Sequence, residues 1–202
     1  PPTRSGFAMP LLRVLAAAAL GLLLTGCGPQ LDIHYVATPE PVVDAMLEMA
    51  EVGPGDVVYD LGSGDGRIPI TAAKRFGVRA VGIELDPRLI ARARRNAEEA
   101  GVAHLVEFRQ EDLFEADISD ASVVTLYLGD MLNLRLRPRL LDLPPGTRVV
   151  SQSFNMGDWI PDERREVMNR PVYRWTVPEL FVPGFPSLPA EASDPAADDA
   201  QN

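Results

Sequence analysis

The sequence predicts an α/β domain: a mostly parallel sheet with helices on both faces. Three observations predict it. A short apolar run, Val57 to Leu61, enters the glycine turn Gly62-Ser63-Gly64-Asp65-Gly66. A second apolar run follows a helical stretch and ends in an acid, Ala80-Val81-Gly82-Ile83-Glu84. Later apolar runs alternate with helical spacing, and the longest, Ser122 to Leu128, is apolar enough to be buried on both faces.

Residues 28–37 read as a linker. Thr38 is expected to cap a helix with Pro39 at its first position, and Val42, Val43, Met46, Leu47 and Ala50 form its apolar stripe. Gly53-Pro54-Gly55-Asp56 turns the chain into the first strand, 57–61. A helix from Arg67 to Phe76 stops at Gly77, and the second strand is Arg79 to Leu85. Asp86-Pro87 opens a helix that Gly101 closes. Leu89, Ile90, Ala93 and Ala97 form its inner face, and Arg88, Arg92, Arg95 and Glu99 a solvated one.

The third strand is Val106 to Arg109 and the fourth Ser122 to Leu128. A helix from about Met131 to Leu141 contains Pro138, a site for a kink or interruption. Pro144-Pro145-Gly146 leads into a fifth strand, Thr147 to Ser153. Residues 154–170 read as irregular, with a short helix at 162–168. Val172–Val177 and Glu179–Val182 predict a closing hairpin that turns at Pro178. The folded domain is expected over 38–186, and residues 187–202 as a disordered acidic tail. No internal repeat is present.

The glycine turn carries the chemistry. Glycines let the backbone turn sharply and approach a ligand without a Cβ in the way. A dinucleotide site would set a pyrophosphate on this loop, but Asp60 and Asp65 would repel it. The Gly-x-Gly-x-x-Gly register also fails, because position 67 is Arg. S-adenosylmethionine has no phosphate; its ammonium, sulfonium and ribose diol suit acids. The formal charge of -10 argues against nucleic acid as a partner. His34 and His104 lack partners at ligand spacing, so no metal site is expected.

The first residues read differently. Leu11 to Leu24 is apolar apart from Arg13, too short for a membrane span and suited to a signal-peptide core. It ends in Leu24-Thr25-Gly26-Cys27, which resembles the lipobox of bacterial lipoproteins. That resemblance implies a signal peptide over 1–27 and lipidation of Cys27. The result would be a membrane-anchored lipoprotein of the bacterial cell envelope, with Gly28 pointing to the outer membrane. An unprocessed N-terminus would leave the chain cytoplasmic. Cys27 is the sole cysteine, so no intrachain disulfide forms.

Tyr35-Val36-Ala37-Thr38-Pro39, Asp60-Leu61-Gly62-Ser63-Gly64-Asp65-Gly66-Arg67, and Thr125-Leu126-Tyr127-Leu128 with Asn133 resemble the class I S-adenosylmethionine-dependent methyltransferases. The nearest group is the small archaeal and mitochondrial-type protein-lysine methyltransferases and their bacterial relatives. The resemblance spans about residues 35–183 and implies a Rossmann-like seven-stranded sheet. Gly129-Asp130 and Ser151-Gln152-Ser153-Phe154 depart from the group's pattern on the acceptor side.

Carried over by position, Asp60 and the backbone of Gly62 and Gly64 hold the methionine end of S-adenosyl-L-methionine. Glu84 accepts from the ribose hydroxyls, Asp112 bonds the adenine amino group, and Leu113 packs on the ring. Tyr35 and Thr38 close over the methionine moiety, and Tyr127 is the catalytic residue facing the methyl and the acceptor. The implied partner is a protein with an accessible lysine. The lipobox opposes this reading, because the cofactor is made in the cytosol. A retained methyltransferase, an exported protein that binds a ligand without catalysis, and a small-molecule methyltransferase at the membrane remain open.

Overall fold

The computed structural model describes residues 35–181. Cys27, His34, the signal segment, most of the linker and the acidic tail lie outside the described residues. Of the described residues, Tyr35 belongs to one compact unit and residues 36–181, with every element below, to a second.

Helix α1 spans Glu40–Met49. Its cap is Pro39, not Thr38, and the Pro39 carbonyl accepts from the amides of Val42 and Val43. Proline has no side-chain acceptor, so the backbone alone starts this helix. The other elements are β1 (Val57–Leu61), α2 (Arg67–Phe76), β2 (Arg79–Glu84), α3 (Pro87–Glu99), β3 (Val106–Gln110), β4 (Val123–Leu126), α4 (Asp130–Leu141), β5 (Arg148–Gln152), β6 (Glu163–Val167) and β7 (Arg170–Thr176). No helix among the described residues is long and apolar enough to cross a membrane.

The seven strands are ordered β3-β2-β1-β4-β5-β7-β6. β1 to β5 run parallel, and β7 runs antiparallel between β5 and β6. The chain winds outward from β1 to β3, then returns to β1's other side as β4. That reversal opens a crevice at the carboxyl ends of β1 and β4, where doubly wound sheets bind ligands.

Each face of the sheet has its own core. Val42, Met46 and Leu47 of α1, with Ile68 and Ala72 of α2, pack on Val58, Val123 and Val150. Ile90, Ala93 and Ala97 of α3 close on Phe108. The opposite face carries Leu136 and Leu140 of α4 over Tyr59, Val124 and Val149. There Trp175 donates its indole N–H to the Trp159 carbonyl at 2.7 Å, so a fully buried tryptophan keeps its polar atom satisfied.

Strand–helix alternation breaks twice. No helix follows β3 or β5; Ala116 and Ile118 fill the core after β3, and Met156 and Trp159 fill it after β5. Two expectations for the C-terminal part are corrected. Residues 163–167 are a strand, not a helix, and the hairpin is β6–β7 with its turn at Met168-Asn169, not at Pro178. Both turn residues have positive φ, 52° and 58°, the geometry that matches strand twist in a two-residue hairpin. Opposite β6, Glu163 meets Arg174 and the Arg164 guanidinium lies over Tyr173, so the charged run is an edge strand held by cross-strand pairs. α4 runs unbroken through Pro138.

Candidate functional site

The glycine turn leaves β1 at the crevice. Gly62 has φ +83°, and a Cβ there would come within 2.7 Å of the Leu128 side chain. The left-handed backbone requires glycine, and a Cβ would also force the Leu128 methyl to shift. The amides of Gly62 and Ser63 donate to the Ile83 carbonyl, which ties the loop to the end of β2. Glu84 completes the tie: Oε2 accepts from the Gly64 amide at 3.0 Å, and Oε1 from the amides of Leu85 and Asp86. A carboxylate offers about four acceptor sites. Three are filled by backbone, so Oε2 keeps one for a ligand hydroxyl.

Asp60 is 3% exposed, and its Oδ1 accepts from the Thr125 hydroxyl of β4 at 2.7 Å. Burial pushes its carboxyl up to about 7, with Glu84 and Asp65 adding to the rise and Thr125 opposing it. Three acids thus surround one glycine loop. A cationic ligand relieves that repulsion, whereas a phosphate would add to it.

Asp65 does not point freely into the crevice. It receives Arg67 on both oxygens, at 2.9 and 2.7 Å, and Arg67 also donates to the Thr38 carbonyl at 2.7 Å. Arg67 therefore straps the segment before α1 to the glycine loop. Thr38 is buried and enters this closure through its backbone. Tyr35 belongs to the other compact unit and is 38% exposed.

Asp112 is exposed, and its Oδ1 accepts from the Phe114 amide, so it starts a turn after β3. Leu113 packs half-buried against the core behind it. Tyr127 follows β4 and stacks on Phe154, with ring centroids 6.0 Å apart and planes 23° apart; its hydroxyl accepts from Arg170. Asn133 of α4 donates to the Ser151 hydroxyl at 3.0 Å and to the Phe154 carbonyl at 3.2 Å, which fixes the loop after β5.

Sequence reasoning assigned no role to Thr125, Arg67, Phe154, Arg170 or Gln152. Thr125 had a signal: a lone hydroxyl inside an otherwise apolar run. Gln152, at the end of β5, is fully buried, and among the described residues neither its Oε1 nor its Nε2 has a hydrogen-bond partner. Each such buried atom costs about 1–3 kcal/mol. Among the described residues, no group of three or more His, Cys, Asp or Glu could hold a metal ion.

The acid-lined loop, the free acceptor site on Glu84 and the left-handed glycine turn fit a cationic adenosyl ligand. The ANTKMT methyltransferase domain matches residues 60–163. A protein-lysine N-methyltransferase of Saccharolobus islandicus is 47% identical over 153 residues, 73% of this chain and 95% of that one. The adenine nucleotide translocase lysine N-methyltransferase of Mus musculus is 37% identical over 134 residues, 65% of this chain but only 58% of the mouse protein. An RNA methyltransferase from Salinibacter ruber, solved with S-adenosyl-L-homocysteine, superposes with a TM-score of 0.72 at 61% identity, over 73% of this chain and 97% of that one.

Proposed function

Because the chain belongs to the ANTKMT methyltransferase domain family of class I S-adenosylmethionine-dependent methyltransferases, we propose that it methylates lysine side chains of proteins. The observation that carries this reading is the acid-ringed glycine loop beside the Tyr127–Phe154 stack at one set of strand ends. When bound, S-adenosylmethionine would supply an electrophilic methyl group on its sulfonium to an amine lone pair. Asp60 would hold the ammonium end, Glu84 the ribose hydroxyls, and Asp112 with Leu113 the adenine end. The segment at Thr38, strapped by Arg67, excludes water.

Tyr127 faces the acceptor, with its ring held by Phe154 and its hydroxyl by Arg170. A lysine amine has an ordinary pKa of about 10.4 and must be neutral to react. Burial and a neighbouring cation both disfavour its charged form, so alignment and dryness replace a strong base.

The test is transfer of tritiated methyl from S-adenosylmethionine to protein, followed by hydrolysis and separation of methylated amino acids. Labelled methyllysine is expected. The Salinibacter ruber relative is named an RNA methyltransferase, so total RNA belongs in a parallel arm; label in RNA alone would replace the lysine reading. The chain has a single lysine, Lys74, so label on the enzyme itself maps to one position.

The lipobox supports a separate part of the proposal: Cys27 is lipidated and anchors the enzyme to the envelope membrane. Radioactive palmitate should label the wild type and not Cys27→Ala.

A further inference from the structure

We infer that Gln152 positions the acceptor, its side-chain Oε1 accepting an N–H from the nitrogen that receives the methyl group. The inference rests on the lysine reading above and names a residue that performs it. Gln152 is fully buried, and both polar atoms of its amide lack a partner among the described residues. Its neighbour Ser151 is engaged by Asn133 of α4, on the opposite face of the sheet. The strand pleat therefore turns Gln152 to the face that carries Asp60 and Thr125. Leu126 with Ser151 is the last pair of the β4–β5 ladder, so Tyr127 and Gln152 follow it at the same end of the sheet.

The strand order separates the two halves of the site. The loop, Glu84 and Asp112 lie on the β1–β2–β3 side, and Tyr127 and Gln152 on the β4–β5 side. The cofactor-binding groups are therefore on strands other than the one that ends in Gln152. Ser153 and Phe154 after it, and Tyr127 after β4, are half-buried, and Tyr127 stacks on Phe154 at these strand ends. On that face Asp60 stands two strands away on β1, α1 packs over β5 with Glu40 in its first turn, and Arg170 meets Tyr127 at the strand ends.

An amide suits this task better than a carboxylate. It accepts an N–H without adding negative charge, and added charge would stabilise the unreactive ammonium. Gln152→Glu should therefore push the acid limb of the rate profile to higher pH, whereas Gln152→Leu should remove the contact.

The experiment uses the full chain with poly-L-lysine as the acceptor probe and S-adenosyl-L-homocysteine as the binding probe. Gln152→Leu is expected to lower kcat by about 10²-fold, the order expected when a reacting group is misaligned. Its affinity for S-adenosyl-L-homocysteine, read by calorimetry, should stay within about threefold of wild type. Gln152→Glu should retain that affinity and show its acid limb raised by about one pH unit. An unchanged kcat in Gln152→Leu would overturn the inference. A loss of cofactor affinity in Gln152→Leu would also overturn it, by assigning the residue to the cofactor or to the fold. A wild type that binds S-adenosyl-L-homocysteine but labels RNA and not poly-L-lysine would overturn the lysine reading, and this inference with it.

Discussion

Asp60 carries an electrostatic cost of the site, a carboxyl buried in the sheet. An unfolded Asp ionises near 3.9, whereas burial holds the folded carboxyl protonated up to about 7. Between those values the folded state binds more protons than the unfolded state, so this group's contribution to stability falls as pH rises and levels off above 7. Asp60→Asn should match the wild type in denaturant midpoint near pH 4 and exceed it at pH 8, while losing affinity for S-adenosylmethionine. Binding to the wild type at pH 6.5 should release a proton, seen as a calorimetric enthalpy that varies with the buffer's ionisation heat. At Gly62, a β-carbon meets both a left-handed backbone and the Leu128 side chain. Gly62→Ala should cost about 1–3 kcal/mol of stability and weaken cofactor binding, both readable by thermal melts with and without S-adenosyl-L-homocysteine.

The elements that position these residues were legible to different degrees. The stretch from β1 to β3 announces itself, because buried parallel strands are near-continuous apolar runs and the helices between them start and stop at Pro, Asp and Gly. Asp86 caps α3 by accepting from the Arg88 amide, and Gly77 ends α2 with φ +67°. β6 was misread because Glu163-Arg164-Arg165-Glu166 has a helix former's composition. Strand pairing to β7 overrode that local preference. The tight turn that makes the pairing places Met168, 60% exposed, at φ 52°. Met168→Gly should relieve that strain and raise stability by about 0.5–1 kcal/mol, seen as a higher Tm with unchanged cofactor affinity.

At the scale of the whole molecule, chain reversal makes the crevice. Adjacent β1 and β4 are more than sixty residues apart in sequence, yet Asp60 of one meets Thr125 of the other. Local patterns along the chain suffice for the parallel α/β domain, the glycine loop and the acid at the end of β2. Those signals are local: hydrophobic periodicity, the need for a left-handed turn, and a carboxylate at a strand end. Only the tertiary structure decided that Thr125 is the partner of Asp60, that Arg67 straps Thr38 to the loop, that Phe154 and Arg170 hold Tyr127, and that Gln152 lies buried with its amide unpartnered. Each of these depends on which distant strands become neighbours and which way their pleats face, and no local pattern of residues carries that information.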